Sequence, residues 1–151
     1  MVKQIMTAFV LASLLAFACS AGVKGVTDRA MIRAAQLAQI PESEYSKWDK
    51  PVVEVMHVAR YKPISQTEGY RYCGETAPWL EGKTPESTKI VVHIRVFVRP
   101  DEKQLLNDVL THELLHYIWF EKATTDDAWY QAHPDSEAFV RSLLPADCPA
   151  I

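Results

Sequence analysis

The chain reads as a single α+β domain, and three observations carry that reading. Ile90, Val92, Ile94, Val96 and Val98 alternate with Val91, His93, Arg95, Phe97 and Arg99, the period of two that a strand requires. The segment 101–123 contains no Gly or Pro and repeats Leu105, Leu106, Val109, Leu110, Leu114, Leu115 and Ile118 at helical spacing. A chain of 151 residues supports one hydrophobic core and leaves no room for a second of full size.

In chain order, the first 18 residues stand apart from that domain. Lys3 precedes an uncharged, mostly apolar run from Ile5 to Phe17, and Ala16-Phe17-Ala18 precedes Cys19. Length and flanks make residues 1–18 a signal peptide, too short for a comfortable membrane span. Leu15-Ala16-Phe17-Ala18-Cys19-Ser20 resembles a lipobox, with Ala16 where Leu is usual and a bulky Phe17. That resemblance implies a lipid anchor on Cys19, and Ser20 in place of Asp implies the outer membrane. Ordinary signal-peptidase cleavage is the competing reading. Residues 19–26 then form a tether and residues 27–151 the domain. Removing Lys3 leaves 15 of the 16 basic residues against 19 acidic ones, a net charge of −4. That balance argues against a nucleic-acid partner. With Cys19 set aside, Cys73 and Cys148 remain, enough for one disulfide in an oxidising compartment. Cys73 has no neighbouring metal-binding residues, so zinc ligation there is the weaker alternative.

The domain reads helix, strands, helix, helix. Thr27 to Ile40 is Ala-rich, carries Met31, Ala34, Leu37 and Ala38 at helical spacing, and stops at Pro41. Val52 to Val58 is β-branched and reads as a strand. Residues 65–88 hold Gly69, Gly74, Pro78, Gly82 and Pro85 and read as loops, with room for a short strand at 70–73. After the strand 90–98, Asp101 is the expected N-cap of the long helix, with Gln104 completing a capping box. A last helix is expected to start around Pro134, with Asp135 and Glu137 near its positive end and Phe139, Val140, Leu143 and Leu144 as its buried face. His57 and His93 fall within strands and read as sheet residues, and Trp48, Trp79, Trp119 and Trp129 as core or groove lining.

The chemistry is concentrated in His112-Glu113-Leu114-Leu115-His116. Residues four apart on a helix differ by about 40° in azimuth, so both imidazoles leave one face and can hold a single Zn²⁺. Glu113, beside the first, is placed to take a proton from water whose pKa the metal lowers from about 15.7 towards 7. The same helix is apolar on the opposite side as well, and polar groups buried in it need a compensating partner. Other divalent ions remain open, since zinc is inferred from ligand types.

A catalytic zinc takes three protein ligands, and two histidines leave one to find. His133, ahead of the last helix, is the first choice. Glu137, from its first turns, is the alternative, and Asp135 the third option.

With these residues the chain resembles the zincin metallopeptidases over about residues 90–145. Two branches compete. SprT-like proteases take a histidine beyond the motif followed by an aromatic, which His133 and Phe139 resemble, although Pro134 stands where Gly is common. Gluzincin-type and ImmA-like proteins take a glutamate on a following helix, which Glu137-Ala138-Phe139 and Leu143-Leu144-Pro145 resemble with shorter spacing. The resemblance implies a small mixed sheet packed on the active helix, with an edge strand lining the cleft. Ile90 to Val98 is the candidate for that edge. It also implies a side chain supporting the oxyanion, for which Tyr130 is preferred over Tyr117.

The expected function is that of an exported zinc-dependent metallopeptidase acting on peptide or protein substrates, with Glu113 as general base, tethered to the outer membrane and facing the periplasm or outside. A non-catalytic zinc-binding lipoprotein serving as a binding or structural module is the alternative from another class. A toxin or effector with one narrow protein target would share the same sequence features.

Overall fold

The computed structural model describes residues 22–58 and 73–144. Residues 1–18, expected as a signal peptide, Cys19, Cys148 and residues 70–72 of the short strand considered above lie outside the described residues.

Helix α1 covers residues 22–37, so residues 22–26, expected as a tether, are helical. It closes on Gln39, whose φ of 57° is left-handed, with Ile40 N–H donating to the Ala35 carbonyl at 2.9 Å. That six-to-one bond is the Schellman stop, here made by a residue other than Gly, and Pro41 prevents any continuation. A single turn, α2 (Glu42–Tyr45), follows.

Three strands form one mixed sheet in the order β1-β3-β2. Strand β1 (Val52–His57) runs parallel to β3 (Lys89–Val98), and β2 (Gly74–Glu81) runs antiparallel to it. Two expectations are corrected here. The segment 90–98 is the central strand and not an edge, because it pairs on both sides. Residues 74–81, expected as loop, form the edge strand despite Gly74 and Pro78. Proline is admitted at an edge because its missing N–H can face away from the ladder.

Val92, Ile94, Val96 and Val98 are buried on one face of β3. Beneath them runs α3 (Lys103–Thr125), which buries Val109, Leu110, Leu114, Leu115 and Ile118. Each such side chain contributes about 1.5–3 kcal/mol on burial. Ala30, Ala34 and Ala35 let α1 join the same core closely, and Phe139 and Val140 bring in the last helix. The long helix starts at Lys103 behind Glu102, with no side-chain cap. Asp101, expected as that cap, is held instead by Arg99, 3.0 Å away. Its carboxylate therefore faces a guanidinium in place of the helix N–H groups.

Tyr117 donates to the Asp49 carbonyl at 2.7 Å and meets Trp48 edge-on at 5.9 Å. Burial first, then the charges of Glu121 and Asp49, push its phenol well above the ordinary range. On the outer face of the sheet, Arg95 bridges Glu54 at 3.1 Å and Glu75 at 3.3 Å and lies over Trp79. His93 stacks on the same Trp79 ring at 4.5 Å, the sheet role expected for it. Among the described residues no helix is long and apolar enough to cross a membrane.

Candidate metal centre

Two helices follow α3: α4 (Asp127–Ala132) and α5 (Ser136–Leu143). The first was not anticipated. Asp126 ends α3 and caps α4, accepting from Trp129 N–H at 3.0 Å, so the chain turns sharply instead of running on to Pro134. Asp135 caps α5 in the same manner, accepting from Ala138 N–H at 3.1 Å. That bond accounts for the carboxylate considered as a third ligand.

The cap sets the azimuth of α5 so that Glu137 meets the histidine pair. His112 Nε2 and His116 Nε2 lie 3.1 Å apart, and Glu137 Oε2 lies 3.2 Å from His116 Nε2. His112, His116 and Glu137 form a group that could hold a metal ion, one donor atom from each lying within 4.8 Å of the others. A tetrahedral ion with bonds of about 2.0–2.1 Å separates its donors by about 3.3–3.4 Å. The observed spacings are close to that, and two imidazoles with one carboxylate are a set that a divalent ion accepts. His112 is buried, His116 half-buried and Glu137 exposed, so the group opens to solvent on one side.

Neighbouring side chains orient these donors. Ser136 Oγ lies 2.6 Å from His116 Nδ1. With the proton on Nδ1 donated to that hydroxyl, Nε2 presents its lone pair to an ion. Arg141 Nε donates to Glu137 Oε1 one turn along α5, leaving Oε2 on the histidine side. Sequence reasoning missed both partners, although Glu137 and Arg141 stand four apart, the spacing of a helical ion pair.

Glu113 is buried on the other flank of the histidine face, against β2. The Thr76 hydroxyl donates to its Oε2 at 2.6 Å, and Thr76 Oγ1 also lies 3.1 Å from the Glu113 backbone carbonyl oxygen. Gly74 makes this approach possible. A Cβ there would stand 2.5 Å from Glu113 Oε1 and 2.9 Å from Val109 Cγ1. Thr76 and Gly74 were hidden because their segment read as loop.

His133, the first choice for third ligand, is placed elsewhere. It caps the C-terminus of α4, its Nδ1–H donates to the Trp129 carbonyl at 3.0 Å, and its ring stacks on Trp129 at 4.3 Å. Phe139 meets both of these rings edge-on, 5.2 Å from His133 and 5.0 Å from Trp129. The geometry brings Glu137, not His133, to the pair. Tyr130, preferred as support for the oxyanion, is exposed on α4 with its ring 5.9 Å from that of Trp119. Tyr117 is turned into the core.

A cavity of about 760 Å³ lies on the opposite flank of α3, lined by Met31, Trp48, Val53, Val55, Leu114 and Tyr117 among others. None of His112, His116 and Glu137 lines it. Cys73, at the root of β2, is disulfide-bonded and so is not a free thiolate for a metal. Compared with known proteins, the chain matches no protein-family model, no curated protein and no solved structure.

Proposed function

We propose that this chain is an exported, zinc-dependent metallopeptidase. The observation that carries the reading is the division of labour around one helix face. Glu137 completes a donor trio with His112 and His116, while Glu113 is held apart from it by Thr76. A purely structural metal site has no use for a carboxylate kept beside the donors but outside them.

His112, His116 and Glu137 would hold the ion, and zinc there would supply Lewis acidity and lower the pKa of water. The protein's own part follows from its geometry. Glu113 accepts the proton of the attacking water and returns it to the leaving amine, the acid–base role typically worth 10²–10⁴ in rate. Thr76 and Gly74 keep that carboxylate in one place. Ser136 holds the His116 ring, and Arg141 holds Glu137. Strand β2, the edge of the sheet nearest Glu113, is where an extended peptide would add. A disulfide at Cys73 supports an oxidising compartment, in keeping with export and with a lipid anchor at Cys19.

The test is Glu113→Gln. Zinc content should match that of the parent chain, while cleavage of a mixed peptide library should fall by about 10²–10⁴. A zinc-loaded parent chain that cleaves no peptide, or a variant as active as the parent, would overturn the proposal.

A further inference from the structure

The backbone of β2 fixes where a peptide can pair with it. Phe97 N–H donates to the Cys73 carbonyl at 2.7 Å, and these residues stand opposite each other in the register that pairs Gly74 with Val96. In an antiparallel ladder hydrogen-bonded pairs alternate with non-bonded ones. Residues 75, 77, 79 and 81 therefore turn their backbone groups towards β3, and Gly74, Thr76, Pro78 and Leu80 turn theirs outwards. Among the described residues no strand occupies that side. Thr76 offers both a donor and an acceptor to the open edge. Pro78 offers only its carbonyl, since it has no N–H.

The side chains of Thr76, Pro78 and Leu80 share one face of the sheet, the face on which Thr76 touches Glu113 and Gly74 leaves room for it. Towards the end of the hairpin α3 no longer covers that face. Leu80 is 75 % exposed, and its cross-strand partner Ile90 is 51 % exposed. Leu80 lies about 13 Å along the strand from Thr76, and Pro78 about half as far. Phe120, seven residues beyond Glu113, projects from α3 within about 20° of the same azimuth. The space beside Glu113 thus has apolar groups on both walls on the hairpin side.

Resting on the peptidase reading above, we infer that the site selects an extended peptide carrying a large aliphatic or aromatic side chain on the hairpin side of the residue that pairs with Thr76. Pro78, Leu80 and Ile90 receive that side chain. Full two-bond pairing at Thr76, broken at Pro78, sets the register, and the uncovered leucine and isoleucine supply the preference. Matching one apolar group in a pocket is worth about 10–200-fold, and an open surface such as this belongs at the lower end.

The experiment measures equilibrium binding of a positional-scanning hexapeptide library to the zinc-loaded mature chain carrying Glu113→Gln, with and without Leu80→Asp or Ile90→Asp. Both positions are exposed, so the substitutions leave the core intact. The expected result is one library position favouring Leu, Ile, Phe or Met over Asp by about tenfold or more, with the preference lost in Leu80→Asp and zinc content unchanged. No peptide bound at millimolar concentration, no apolar preference, or a preference unchanged in both aspartate variants would overturn the inference. Apolar selection that depends on Leu80, combined with no cleavage by the chain retaining Glu113, would support this surface and overturn the metallopeptidase reading alone.

Discussion

Thr76 on the edge strand and Glu113 on the long helix are joined by a hydrogen bond of 2.6 Å between hydroxyl and carboxylate. The bond ties the sheet to the residue proposed as general base. It places a charged acceptor where neither the motif nor its spacing indicated a partner.

Thr76→Val keeps the shape of the side chain and removes the donor. Hydrogen bonds to charged groups contribute about 1.5–3 kcal/mol, so the variant should lose up to that much stability at neutral pH. Peptide turnover should fall as well, with zinc content unchanged. Urea unfolding and metal analysis of the same preparation check both.

Gly74→Ala places a methyl group where the Glu113 carboxylate lies, 2.5 Å from Oε1. The carboxylate must move, and displacing a catalytic group by about 1 Å can reduce rate by about 10²-fold. The same methyl would stand 2.9 Å from the buried Val109 Cγ1, so the expected signature is a large loss of kcat together with about 1–3 kcal/mol of lost stability, measured by peptide cleavage beside thermal unfolding.

Glu137→Ala should abolish zinc retention after dialysis, whereas His133→Ala should retain about one ion per chain, the stoichiometry of a three-ligand site. Metal analysis of the two variants beside the parent reads this directly. Retention by Glu137→Ala together with loss in His133→Ala would mean that the α4–α5 turn rearranges on binding.

Zinc bound across α3 and α5 should also stabilise the fold. Free metal at 1,000 times Kd adds about 4 kcal/mol. For a domain of this size that raises Tm by more than about 8 °C. Scanning calorimetry with zinc and then with a chelator is the check, and Glu137→Ala should show almost none of the difference.

Glu121 gives a pH-dependent expectation away from the metal group. Burial first, and Asp49 second, hold its carboxyl above the ordinary value of 4.5. A raised carboxyl favours the proton-bound folded state. Its stabilising contribution is present below about pH 4.5 and is lost as pH rises through the folded-state value. Glu121→Gln should therefore be more stable than the parent at pH 7 and lose that advantage at pH 4, as read by thermal unfolding at both.

Regular periodicity made part of this fold legible. The alternation of 90–98 and the uninterrupted helical run through His112 and His116 marked β3 and α3, because both elements contribute rows of buried apolar side chains. Strand β2 was illegible because its residues obey edge rules. Pro78 reads as a breaker although it stands at a position whose backbone faces outwards, and Leu80 and Trp79 remain exposed. The third donor was illegible for another reason. Whether His133 or Glu137 reaches the pair depends on two aspartate caps that rotate α4 and α5, and spacing along the chain carries no azimuth. His133 was misplaced because the aromatic rings of Trp129 and Phe139 surround it.

The order of the donors along the polypeptide has a consequence for how the protein matures. His112 and His116 share one helix, but Glu137 belongs to α5, the last described element in chain order. As the polypeptide emerges from its N-terminus, the sheet and the paired histidines are available before their carboxylate partner. The trio closes only after α5 has packed Phe139 and Val140 into the core. Until that docking, the chain carries the two histidines without the carboxylate that completes the group, so an ion could be gathered by all three donors only once the last described helix is in place.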